Sequence, residues 1–87
     1  MKQYTFYADP GHGWIKVPMQ ELRDLNIAGL ITQYSYRKGE HAYLEEDMDL
    51  ETFVVAYFRK HYAQPKIVSK NTNRSSRIRS YPTYTMR

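Results

Sequence analysis

A small α+β domain with a basic C-terminal arm is the fold class this sequence predicts, and three observations predict it. First, 87 residues suffice for one core only, since a chain this short buries roughly 60–65% of its unfolded surface. Second, short aromatic and β-branched runs with period-two alternation surround one strong 3.6-period stretch. Third, the charge is divided by position. Up to Glu51 there are five Lys and Arg against nine Asp and Glu, a net of −4; the rest holds eight basic residues and no acid, a net of +8.

The elements follow in order. Gln3 to Ala8 reads as a strand, with Tyr4 and Phe6 on one face and Thr5 and Tyr7 on the other. Asp9-Pro10-Gly11-His12-Gly13 is a tight turn, because Pro10 fixes φ and the glycines permit positive φ. Trp14-Ile15-Lys16-Val17 alternates again, so residues 3 to 17 form a hairpin. Pro18 suits a helix entry, and Met19, Leu22 and Leu25 give a short amphipathic helix over about 19–25. Asn26 is its expected left-handed cap, and residues 27–31 are an apolar connector or a further helical turn.

Tyr34-Ser35-Tyr36 and Ala42-Tyr43-Leu44 flank a polar loop containing Gly39, which predicts a second hairpin over 33–45. Leu50, Phe53, Val54, Tyr57, Phe58 and His61 recur at helical spacing, predicting the main helix over about 49–62. Asp49 is its expected N-cap, with Met48 and Phe53 as a hydrophobic staple, and Arg59, Lys60 and His61 complement the dipole in the last turn. After Pro65 a final strand is expected, completing one mostly antiparallel sheet. Residues 1–70 form the folded domain and residues 71–87 an Arg-, Tyr- and Ser-rich tail or extended arm that need not fold alone.

The composition removes several function classes. Without cysteine there is no disulfide framework, thiolate zinc site or cysteine nucleophile. No apolar run approaches the ~20 residues a spanning helix needs, and the N-terminus opens no signal-peptide pattern, so a soluble cytoplasmic protein is expected. His12, His41 and His61 lack the local spacing of a metal site, and Glu45-Glu46-Asp47-Met48-Asp49 lacks the alternating oxygens of a calcium loop; no metal or cofactor is expected. Capping suffices to explain that acidic run, with an acidic binding patch as the alternative.

Three constellations remain. His12 stands between two glycines with Trp14 beside it, as a general base or a stacking surface on a turn, or as part of a plain hairpin turn anchored by Trp14. Nine tyrosines form the strongest bias, and Tyr34, Tyr36 and Tyr43 beside Arg37 and Lys38 fit either base stacking or a half-buried sheet face. The tail interleaves Arg74, Arg77 and Arg79 with Tyr81 and Tyr84, forks for phosphate or carboxylate beside stacking rings.

The segments Tyr4 to Pro18, Tyr34 to Gly39, Tyr43 to Asp47 and Asn73 to Arg79 together resemble a family of small proteins carried by bacteriophages, prophages and plasmids. The resemblance implies a bacterial host cell and an accessory role; it supplies no site residues. Non-catalytic binding of a host or defence protein, or of a protein–nucleic-acid complex, is therefore the leading expectation, with inhibition or anti-defence as its outcome. Direct DNA or RNA binding is the alternative, followed by nucleotide sequestration between paired protomers or a minute nuclease using His12 and His41. The expected contacts are Arg74, Arg77, Arg79, Tyr81 and Tyr84, then His12 and Trp14, with Arg37 and Lys38. Oligomeric state is open at this level.

Overall fold

A computed structural model describes residues 2–87 as an α+β domain with one five-stranded mixed sheet and two helices. The strands are β1 (Gln3–Ala8), β2 (Gly13–Pro18), β3 (Tyr36–Lys38), β4 (His41–Glu45) and β5 (Lys66–Asn71); the helices are α1 (Met19–Asp24) and α2 (Asp49–His61). Short 3-10 turns occupy Ala28–Leu30 and Arg77–Ser80. The strand order is β3-β4-β2-β1-β5. Both predicted hairpins form, β1 with β2 and β3 with β4, and β2 joins them by pairing Ile15 with Leu44 and Val17 with Ala42. β5 runs parallel to β1, with Tyr4 beside Ile67 and Tyr7 beside Lys70. No local turn encodes that pairing: α2 carries the chain from β4 to the free edge of β1, as a parallel connection requires.

Alternation within the strands makes two unlike faces. Tyr4, Ile15, Val17, Ala42 and Leu44 point to the side that α1 and α2 cover, where Met19, Leu22, Phe53 and Tyr57 complete the main core. Tyr4 packs edge-on against Phe53 and Tyr57 and donates its hydroxyl to the buried Glu21 carboxylate. Burial above all, and then Glu21, raises the Tyr4 pKa, so the phenol stays protonated. On the opposite face Trp14 and Tyr43 form a smaller cluster with Ile78 from the C-terminal segment.

Three local expectations change in the fold. The Glu45 carboxylate caps α2, not Asp49: it accepts from the backbone N–H groups of Asp47, Met48 and Asp49 at 2.8, 2.7 and 3.0 Å. Asp49, fully buried, is the first helical residue, and its carboxylate accepts from the Thr32 N–H, the Thr32 hydroxyl and the Ser35 hydroxyl. No staple forms, because Met48 is 57% exposed while Phe53 is fully buried. Phe58 and His61 also leave the expected core face: Phe58 is 46% exposed, and His61 stacks on Tyr57 from solvent.

The turn glycines have a different role from the one their type suggests. Among the glycines only Gly39 has positive φ, at 61°. Gly13 is required by space, since a Cβ there would lie 2.2 Å from the Phe6 ring. Gly13→Ala is expected to destabilise the fold by roughly 1–3 kcal/mol, as overpacking does. Chemical denaturation checks it, and an unchanged midpoint would contradict this account. Asn26, by contrast, takes the expected left-handed conformation at φ 61°.

Candidate functional site

The C-terminal segment is a packed strap. Thr72 continues the ladder by donating its N–H to the Ala8 carbonyl, and the chain then crosses the sheet face away from the helices. Ile78, 3% exposed, sits on Trp14 and Tyr43, and Tyr81 packs edge-on against Tyr43 with ring centroids 5.1 Å apart. The strap then rounds the β3 edge. Arg37 donates its N–H to the Pro82 carbonyl, Thr83 bridges to Tyr36, and Tyr84 tucks under the helices, where its hydroxyl donates to the Ala28 carbonyl at 2.6 Å.

The two segments that stand out most in the sequence turn out to be partners. Asp9 receives Arg79 through two bonds, Nε to Oδ2 at 2.6 Å and Nη2 to Oδ1 at 2.8 Å, and also accepts from the N–H groups of Gly11, His12 and Ser76. Gly11 leaves room for the guanidinium, since a Cβ there would meet Arg79 Nη2 at 2.9 Å. The guanidinium also lies 5.4 Å from the Trp14 ring. The Asp9-Pro10-Gly11-His12-Gly13-Trp14 turn is therefore a clasp for the strap.

The Arg79 guanidinium, assisted by the backbone N–H groups, holds the Asp9 carboxyl well below the usual carboxylate range. A carboxyl depressed in the folded state contributes stability above its unfolded pKa of about 3.9, and that contribution is lost as pH falls below it. Thermal unfolding followed from neutral to acid pH should therefore show a steeper fall in Tm for the wild type than for Asp9→Asn. Parallel profiles would remove the clasp from the account.

Several predicted contact residues thus have structural occupations. Arg79 holds Asp9; Tyr84 is buried; Trp14 is 3% exposed; Arg37 donates to the carbonyls of Gly39, Thr85 and Arg87 and pairs with Glu40. His12 is exposed and His41 half-buried, at opposite ends of β2, about 17 Å of strand apart. They do not converge into one site. Burial, with Lys16 nearby, lowers the His41 pKa despite Glu40. Among the described residues no three His, Asp or Glu gather as a metal site would need.

Two clefts flank the strap. The first, about 400 Å³, is lined by His12, Trp14, Tyr34, Tyr36, Arg79 and two carboxylates, Glu45 and Asp47. Its one Arg is already matched by Asp9, so it carries no surplus positive charge. The second, about 690 Å³, lies between the strap and β1, and Tyr7, Tyr43, Tyr81, Lys16, Arg74 and Arg77 line it without any carboxylate. Among the described residues none of these three cations makes an ion pair. Lys38 extends the site beyond Tyr81, its ammonium 4.8 Å from the ring centroid. On the other side the β1–β5 register sets Lys70 beside Tyr7 and Lys66 beside Gln3, on the same face. Burial and the neighbouring Tyr81 and Tyr7 raise the Tyr43 pKa, so its phenol stays protonated.

Arg74, Arg77, Tyr81 and Lys38 of the expected contacts thus border this second cleft, joined by Lys16, Tyr7, Tyr43 and Lys70. The signal for the added residues was the strand alternation itself, which puts Tyr7 and Lys16 on the face opposite Tyr4 and Val17. No family model, curated protein or solved structure matches the chain. The functional reading therefore rests on the geometry of this face.

Proposed function

We propose that the protein is a non-catalytic binding module that takes a single-stranded nucleic acid across the open face of its sheet, between the strap and β5. The observation that carries this reading is the second cleft, which Lys16, Arg74 and Arg77 line together with Tyr7, Tyr43 and Tyr81; among the described residues none of the three cations makes an ion pair and no carboxylate lines the cleft. Cations along a groove follow a phosphate backbone, and the half-buried rings of Tyr7 and Tyr81, backed by the buried Tyr43, offer bases stacking worth about 1–3 kcal/mol each. Single strands suit it better than duplex, since bases must leave a stack to reach the rings. The test is a titration of fluorescent single-stranded DNA and RNA oligomers across a range of salt. Log affinity should fall linearly with log salt, by about 0.7 for each phosphate engaged. Absence of binding at low salt would defeat the reading.

The resemblance to mobile-element proteins supports a second reading, in which the same cations meet an acidic surface of a host or defence protein and inhibit it. An unlabelled oligonucleotide that fails to compete for such a partner would favour this version.

A further inference from the structure

We infer that the outer face of α2 is a homodimer seam, on which a second copy of this chain packs its own α2 antiparallel across a two-fold axis at Val55. The face is unusual for a helix end-capped and packed on its sheet. Met48, Val55, Phe58 and Tyr62 are 57, 40, 46 and 83% exposed, and Leu30, 65% exposed, flanks the same stripe. A groove of about 560 Å³ between Leu30 and α2 is lined by Leu30, Met48 and Val55, with Glu51 and Arg59 beside them. Isolated apolar residues on a surface need no explanation, but a contiguous patch marks an interaction site.

The order of residues on the stripe identifies the occupant. Val55 and Phe58 are the exposed apolar residues within α2, with Met48 at its N-cap and Tyr62, left-handed at φ 55°, at its C-cap, which centres the stripe on Val55. An isologous contact needs a surface complementary to itself, so residues equally distant from the axis must suit each other. They do here. With Val55 against Val55, Glu51 comes level with Arg59 of the second copy, four positions from the axis on either side within the helix. The Glu51 turn at the start of α2 faces the Arg59 end of the other copy, and the helix dipoles oppose. No like charges meet along the seam. The β5 edge is a poorer place for self-pairing, because a two-fold at Val68 would set Lys66 against Lys70. The seam lies on the helix side of the sheet, so both open faces of the dimer point outward and remain free for ligand.

Sedimentation equilibrium and oxidative cross-linking test the seam. The wild-type protein should show a concentration-dependent monomer–dimer equilibrium. Val55→Glu should leave a folded monomer, since Val55 is 40% exposed and tolerates a polar side chain. Glu51→Arg and Arg59→Glu should each weaken the dimer by roughly tenfold, and the double exchange should recover it. The chain has no cysteine, so Val55→Cys introduces the sole thiol, and it should form a covalent dimer under mild oxidation while Lys60→Cys, on the far side of α2, does not. A wild-type protein monomeric at all concentrations, equal cross-linking of the two cysteine variants, or a double exchange no better than the singles would each overturn the inference.

Discussion

Replacing Asp49 with Ala is expected to destabilise the fold by about 3 kcal/mol, which for a domain of this size lowers Tm by on the order of 15 °C. The side chain is fully buried and fixes three donors on the segment before β3: the Thr32 N–H, the Thr32 hydroxyl and the Ser35 hydroxyl. Hydrogen bonds to a charged group contribute about 1.5–3 kcal/mol each, and a buried N–H left unsatisfied costs about 1–3 kcal/mol. The loss exceeds that of a helix cap, typically about 1 kcal/mol, because this carboxylate joins α2 to a different part of the chain. Ser35 extends the link by accepting the Glu45 N–H at 3.0 Å, and the Ser35 carbonyl receives the Tyr84 N–H. Removing Asp49 therefore loosens the helix start, the β3 approach and the end of the strap together. Asp49→Asn, which keeps the shape and one acceptor oxygen, should lose less. Denaturant unfolding followed by circular dichroism measures both, and a loss below about 1 kcal/mol in the Ala variant would show that water replaces the carboxylate.

That network also marks the limit of what the sequence discloses. Each hairpin is legible because its strands alternate and its turn lies between them, and α2 is legible from the spacing of Leu50, Phe53, Val54 and Tyr57. An acidic residue at the start of a helix has one local meaning, the cap, and local reasoning gives that role to Asp49. Only the return of residues 32–35 to the helix start reassigns it and leaves the capping to Glu45. The strap is the larger case. Its Ser, Asn and Arg content reads as a segment unable to bury a core, yet two of its residues, Ile78 and Tyr84, are buried by surfaces the preceding chain has already built. The turn that Asp9 opens, with His12 and Trp14, and the stretch around Arg79 each look functional in isolation because neither has a partner nearby in the sequence. Seventy residues of separation hide that each is the other's partner. The parallel β1–β5 pair is invisible for the same reason, being set by where α2 delivers the chain.

Removing the strap from the list of free arms narrows the positive charge open to a ligand, and the largest functional effect should follow from it. Neutralising Lys16, Arg74 and Arg77 together, with Gln at each position, is expected to weaken single-stranded nucleic acid by on the order of a hundredfold at low salt. The salt slope should fall by about 2, since each lost phosphate contact removes about 0.7 from it. None of the three is in an ion pair among the described residues, and Arg74 and Arg77 are exposed, so the fold should survive their loss with its Tm nearly unchanged. Arg79→Gln provides the opposite signature. It releases the Asp9 clasp and should lower Tm, while its effect on the salt slope stays small because its charge is already matched. Tyr81→Ala separates stacking from charge: affinity should drop with the slope unaltered, as base stacking releases no counterions. If the triple variant binds oligomers with the wild-type slope, the cations of the second cleft do not contact phosphate and the open face belongs to a partner of another kind. A slope that falls for Arg79→Gln as much as for the triple variant would instead place the ligand over the clasp, in the cleft beside Trp14.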